Sequence, residues 1–105
     1  MSPRIDFNRP QLVTFCERWG VAELSLFGSI LRPDFSTSSD IDVLVSFKKE
    51  AHPTLFDFVR MREELGQFFN RPVDLVSRRG LERSANYLRR TEILSTAQPL
   101  YAAAA

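Results

Sequence analysis

Hydrophobic and polar positions alternate along the chain with two periods, one typical of helices and one typical of strands. The first helical stripe follows the capping residue Asn8 and consists of Leu12, Phe15, Cys16 and Trp19. Gly20 comes next, where a residue in the left-handed conformation commonly ends a helix. We therefore predict a first helix between Asn8 and Gly20, with Cys16 as a small core residue and not a nucleophile.

Strand-like segments follow, and one of them is particularly clear. Val21–Phe27 and Val73–Ser77 are short β-prone runs, and Gly28 ends the first of them. The clearest strand has apolar residues at every second position, namely Ile41, Val43, Val45 and Phe47, which alternate with Asp40, Asp42, Leu44 and Ser46. A period of two places these two sets on opposite faces of a sheet.

The remaining chain predicts further helices and a short final strand. Thr54 and Asp57 resemble a capping box at the start of a helix that ends at Asn70. Its apolar stripe is predicted to consist of Leu55, Phe58, Val59, Leu65, Phe68 and Phe69. Residues 80–97 are predicted to be mostly helical with a break near Asn86, and residues 98–101 to form an edge strand. This α-β-β-α-β-α order predicts an α+β (α/β layered) fold in a single domain, residues 1–105.

Composition narrows the class of protein. The chain is 44% apolar and 26% charged, values that exclude a collagen-like, disulfide-rich or wholly disordered protein. Its single cysteine cannot form an internal disulfide, so a reducing cytoplasm is expected. No apolar run is long enough for a transmembrane helix, and the N-terminus lacks the apolar region of a secretory signal. We expect no membrane association.

The charge balance limits the partners. Because 14 basic residues nearly cancel 13 acidic ones, direct binding to nucleic acid is not expected. Twelve of the basic residues are arginines, and a late group comprises Arg78, Arg79, Arg83, Arg89 and Arg90. This group is either a solvated helical face or a surface for ATP phosphates or an acidic protein partner.

Two carboxylates at the start of the clearest strand are candidate metal ligands. Asp40 and Asp42 share one face, with Cα atoms roughly 6.5 to 7 Å apart. Carboxylates this close repel each other unless a cation neutralises them, and Mg²⁺ prefers oxygen ligands. The pair could bridge two ions for an in-line phosphoryl displacement. Alternatively, the two residues are polar groups on a solvated sheet face.

Asp74 strengthens this interpretation. It interrupts the apolar run Val73–Ser77, where a carboxylate is costly unless it is paired, bound to a metal or exposed. If the two strands are neighbours, Asp74 can complete a three-carboxylate cluster and accept a proton from an attacking hydroxyl. Alternatively, it lies on an edge strand in an ion pair with Arg71 or Arg78.

A glycine and a serine before these aspartates suggest a phosphate site. Gly28 permits close backbone approach, and Ser29 can open a helical turn whose free amides bind an anion. Arg32 lies one turn later and could reach the same phosphates. Ser39 directly precedes Asp40 and could orient its carboxylate. We therefore expect Gly28, Ser29, Arg32 and Ser39 to bind the nucleotide.

This combination resembles the DNA polymerase β-like nucleotidyltransferase superfamily, and in particular its minimal nucleotidyltransferase (MNT) domains. The segments that carry the resemblance are GSILRPDFSTSSDIDVLVSF and RPVDLVS. The resemblance implies a short mixed sheet flanked by helices, as in the polymerase β-like palm, and two Mg²⁺ ions with ATP as the nucleotide donor. Asp40, Asp42 and Asp74 would hold the metals, with Asp74 also the candidate base.

Many such domains are antitoxins, and this implies a partner. In that family the antitoxin silences a cognate HEPN-domain ribonuclease toxin by attaching AMP to one of its tyrosines, so a hetero-oligomer is expected. One alternative is an antitoxin that neutralises its partner by binding alone. Another is a transferase for a small molecule such as an aminoglycoside, although so short a chain has no further domain to hold that acceptor.

Overall fold

A computed structural model of the chain describes residues 7–28 and 40–103. In these ranges the elements follow one another as α1 (Arg9–Trp19), β1 (Val21–Phe27), β2 (Ile41–Phe47), α2 (Leu55–Phe69), β3 (Val73–Ser77), α3 (Arg78–Glu82), α4 (Tyr87–Thr96) and β4 (Gln98–Ala102). The break predicted near Asn86 separates α3 from α4, and the predicted edge strand is β4. No helix in the described ranges is long and apolar enough to cross a membrane.

Capping residues set the ends of the two longest helices. The Asn8 side chain accepts a hydrogen bond from the backbone at the start of α1, and Gly20 ends that helix with a φ of 68°. Thr54 and Asp57 form the predicted capping box of α2, since each side chain accepts a hydrogen bond from the other's backbone. Asn70 ends α2 in the left-handed conformation, with a φ of 56°. The predicted ends of both helices are confirmed.

The four strands form one mixed sheet in the order β3-β2-β1-β4. β1 runs antiparallel to both β2 and β4, whereas β2 and β3 are parallel. Because parallel neighbours need a long crossover connection, α2 joins β2 to β3. This arrangement confirms the expected α+β fold and brings the start of β2, the start of β3 and the end of β1 to the same end of the sheet.

Helices cover both faces of the sheet. On one face α1 and α2 pack over the main core, which includes Leu12, Leu26, Val43 and Leu65. On the other face a smaller cluster joins the sheet to α3 and α4 and consists of Phe27, Leu44, Leu81 and Ile93. Leu44 belongs to the alternating set that also contains Asp42, and it is buried here. The middle of the aspartate face is therefore covered, whereas Asp42 and Ser46 on either side of Leu44 are half-buried.

The predicted apolar stripe of α2 is partly wrong. Met61, which was not in the predicted stripe, is fully buried beside Leu65 and Phe69. Val59 points about 120° away from the mean direction of these three residues at 3.6 residues per turn, and it is exposed. Leu55 lies in the first helical turn and is 80% exposed. Leu55 borders a groove that is described below.

Cys16 is buried in the main core, as predicted. Burial, followed by the negative charge of Glu17, raises the pKa of its thiol to about 12. We expect iodoacetamide to alkylate Cys16 in the folded chain about a thousandfold more slowly at pH 8 than in the chain unfolded in urea, because the thiolate is the nucleophile. Mass spectrometry over time measures both rates, and equal rates would contradict the assignment of Cys16 to the core.

Candidate active site

The end of β1 lies against the start of β2. In the antiparallel pairing Phe27 is opposite Asp42, so the chain leaves β1 at Gly28 directly beside that aspartate. Phe27 is buried and belongs to the smaller apolar cluster. Phe27 was not among the candidate residues, and the only sequence signal for it is its place as the last apolar residue before Gly28.

The start of β3 brings a second carboxylate to the same place. In the parallel pairing of β2 with β3, Asp74 is the direct partner of Asp42. Direct partners on neighbouring strands lie about 4.8 Å apart and point to the same face. A backbone hydrogen bond of 3.0 Å from the Ile41 N–H to the Pro72 carbonyl joins the starts of the two strands. The strands are therefore neighbours, the condition on which the predicted role of Asp74 depended.

Two of the three aspartates are exposed. Asp40 lies one residue before β2 and is exposed, whereas Asp42 is half-buried. Asp74 is exposed on the edge strand β3. All three aspartates lie at the same end of the sheet.

Gly28 packs directly against the Asp42 carboxylate. A Cβ atom at position 28 would lie 2.2 Å from Oδ2 of Asp42 and 3.1 Å from its Cγ, distances far below van der Waals contact. Gly28 also has a φ of 76°, in the left-handed region that favours glycine. The backbone conformation therefore favours a glycine here, and an added side chain would displace the Asp42 carboxylate.

The proposed ion pair does not account for Asp74. Arg78 pairs with Glu82 one turn further along, at 3.5 Å. Within residues 7–28 and 40–103 the Asp74 carboxylate makes no ion pair. An exposed carboxylate beside a second carboxylate can accept a cation.

The donor set suits a hard divalent cation. Mg²⁺ is usually held by one or two carboxylates together with substrate phosphates, and Asp42 and Asp74 supply such a pair. No group of three carboxylate, histidine or cysteine side chains within the described ranges converges as a metal site. The carboxylate pair therefore fits a Mg²⁺ ion that takes its remaining ligands from water and from a bound triphosphate.

Three of the predicted nucleotide-binding residues, Ser29, Arg32 and Ser39, lie outside the described residues. The described ranges end on either side of them, at Gly28 and Asp40. Both of these residues lie at the carboxylate end of the sheet.

Comparison with known families assigns the fold. Residues 11–98 match the family model for the nucleotidyltransferase domain. The chain belongs to this family. A 66-residue segment of this nucleotidyltransferase domain is also 39% identical to the protein adenylyltransferase MntA of Thermococcus cleftensis. That segment is 63% of this chain and 65% of the relative, so the chain matches somewhat less than two thirds of that protein.

Solved structures share the same architecture. One, provisionally described as a minimal nucleotidyltransferase, is 35% identical and superposes with a TM-score of 0.67 over 88% of both chains. A toxin–antitoxin structure with AMP-PNP has a TM-score of 0.67 at 18% identity and covers 91% of this chain and 74% of its own. A tri-AMPylated HEPN toxin with its MNT antitoxin, from Shewanella oneidensis, has a TM-score of 0.59 at 18% identity and covers 90% and 70%. At such identities the two complexes show a shared fold.

Proposed function

We propose that this chain is a Mg²⁺-dependent nucleotidyltransferase that moves AMP from ATP to a tyrosine of a cognate HEPN-domain ribonuclease toxin, and so acts as its antitoxin in the cytoplasm. The observation that carries the proposal is the direct pairing of Asp42 with Asp74 beside Gly28. The name of the Thermococcus cleftensis relative supports AMP transfer to protein, and the toxin–antitoxin structures of this fold support the partner.

The proposed reaction is a displacement at the α-phosphorus of ATP. The tyrosine oxygen forms a bond to that phosphorus, the bond from the phosphorus to the oxygen that bridges to the β-phosphorus breaks, and pyrophosphate leaves. The hydroxyl proton goes to Asp74, which is exposed and can exchange it with solvent. Bound Mg²⁺ would neutralise the charge that develops on the phosphate oxygens.

In this proposal the remaining residues bind and orient the nucleotide. Asp40 and Asp42 share the metal with Asp74, and Gly28 leaves room for the Asp42 carboxylate. Ser29, Arg32 and Ser39 contact the triphosphate from the segment between Gly28 and Asp40. Apolar Phe27 excludes water beneath the carboxylates and strengthens their interaction with a cation.

Labelled ATP tests the proposal directly. The purified chain is incubated with Mg²⁺ and the proposed cognate HEPN-domain protein, using ATP labelled either at the α- or at the γ-phosphorus. We expect the HEPN protein to acquire the α-label alone, on a tyrosine identified by mass spectrometry, and to lose ribonuclease activity. Transfer of the γ-label would indicate a kinase, and neutralisation of the toxin without any label would indicate an antitoxin that acts by binding alone.

A further inference from the structure

A groove of about 830 Å³ lies at the end of the sheet opposite to the carboxylates. It runs between the turn after β2, the start of α2 and the start of α3. We call it the basic groove and define it by Lys48, Lys49, Leu55, Phe58, Arg78 and Arg79. In the strand pairing, Val45 and Ser77 line its floor three residues beyond Asp42 and Asp74, or about 10 Å along the strands.

The basic groove carries excess positive charge. Arg78 pairs with Glu82, which also borders the groove. Within residues 7–28 and 40–103, Lys48, Lys49 and Arg79 have no carboxylate partner. Positively charged side chains that line a concave surface attract an anionic occupant and raise its rate of association.

One rim of the groove is apolar, because Leu55 and the half-buried Phe58 line it. Leu55 is 80% exposed in the first turn of α2. Its neighbour in the chain, Phe56, is 89% exposed but does not line the groove. Adjacent exposed apolar side chains with a polar border are typical of a protein interface. A single exposed apolar side chain, by contrast, is common on any protein surface.

The late arginines divide between this groove and other surfaces. Arg78 and Arg79 line the groove, whereas Arg90 donates hydrogen bonds to two backbone carbonyls and stacks on Tyr87. Arg83 and Arg89 are exposed and do not line it. The group therefore does not form one continuous surface.

We propose that the basic groove docks an acidic segment of the protein partner, whose apolar side chains pack on Leu55 and Phe58. A protein fits better than a nucleic acid because the rim is apolar and the whole chain has a net charge of only +1. The choice of partner rests on the proposed function. The groove would hold the acceptor protein while the carboxylate end of the sheet stays open to ATP.

Charge reversal tests this inference. The Lys48→Glu/Lys49→Glu variant removes the groove's unpaired lysines, and Arg83→Glu/Arg89→Glu is the matched control with the same change in net charge. We expect the first variant to bind the HEPN-domain protein at least about tenfold more weakly in calorimetry without ATP, and the control to bind as the unmodified chain does. ATP affinity is expected to stay unchanged in both variants, since neither touches the carboxylate site.

A second variant and a second probe keep the inference falsifiable. Leu55→Ser is expected to weaken partner binding without a change in melting temperature, since this side chain is already exposed. If the HEPN protein does not bind the unmodified chain, the proposed partner is wrong. A helical peptide of glutamate and leucine then tests whether the groove binds an acidic, apolar segment. It should bind the unmodified chain and the arginine control but not the lysine variant.

Three results would overturn the inference. Equal losses in the lysine variant and the arginine control would show a general charge effect. A dimer that the lysine variant abolishes would identify a second copy of the chain as the occupant. Binding of a single-stranded RNA that depends on the same lysines, without any loss of protein binding, would identify a nucleic acid instead.

Discussion

Replacing Asp42 with asparagine is expected to lower the rate of AMP transfer about a thousandfold, which corresponds to about 4 kcal/mol of transition-state stabilisation. The reason is that asparagine keeps the shape of the side chain but removes the negative charge that would hold Mg²⁺ beside Asp74. Single-turnover transfer of α-labelled AMP to the HEPN protein measures the rate. The effect should fall on the chemical step and leave partner binding intact.

The control for this variant is Glu63→Gln, which neutralises an exposed carboxylate on α2. It should transfer AMP at the unmodified rate, so that a loss in Asp42→Asn cannot come from net charge alone. Melting temperatures of both variants verify that they are folded. An Asp42→Asn variant that is folded and fully active would contradict the metal assignment. Toxin neutralisation that survives the loss of transfer would favour an antitoxin that acts by binding.

Local sequence patterns were sufficient to predict most elements of the fold. The capping residues Asn8 and Thr54 and the terminating residues Gly20 and Asn70 act within a few positions of themselves, so they can be recognised without knowledge of the fold. The alternation in residues 41–47 likewise predicts which side chains share a face. It does not predict the burial of Leu44, because that burial depends on α3 and α4, which come more than thirty residues later.

The candidate site could be predicted only conditionally. Asp74 was expected to join Asp42 if their strands were neighbours, and the parallel register pairs the two residues directly. The contact between Gly28 and the Asp42 carboxylate depends on the register of β1 against β2, which no local pattern encodes. The assignment of Ser29, Arg32 and Ser39 to the nucleotide site stays a prediction.

The basic groove, too, could not be predicted from the sequence. Its residues come from two separate segments, 45–58 and 77–82, that the parallel pairing of β2 with β3 brings together. From the sequence, Leu55 is placed in the helical stripe and no role is assigned to Lys48 and Lys49. Only the three-dimensional arrangement joins apolar and basic residues into one surface, at the opposite end of the sheet from the carboxylates.

Replacing Gly28 with alanine is expected to lower AMP transfer about a hundredfold and to destabilise the fold by about 1–2 kcal/mol. The stability loss comes from the φ of 76°, which an L side chain adopts only with strain. The loss of activity has a different cause. The new Cβ would meet Oδ2 of Asp42 at 2.2 Å, so the carboxylate must leave its position beside Asp74. Urea denaturation and single-turnover transfer measure the two effects separately.

Gly20→Ala is the matched control for this variant. Gly20 also has a left-handed backbone, with a φ of 68°, and its added Cβ would meet the Ala51 side chain at 2.8 Å. Gly20 ends α1 and does not contact Asp42. Its replacement should therefore lower the free energy of unfolding about as much as Gly28→Ala does, while the folded fraction transfers AMP at the unmodified rate. If both variants lose activity only in proportion to their unfolded fraction, the contact between Gly28 and Asp42 has no part in catalysis. If Gly28→Ala alone becomes inactive while folded, the position of the Asp42 carboxylate limits the reaction.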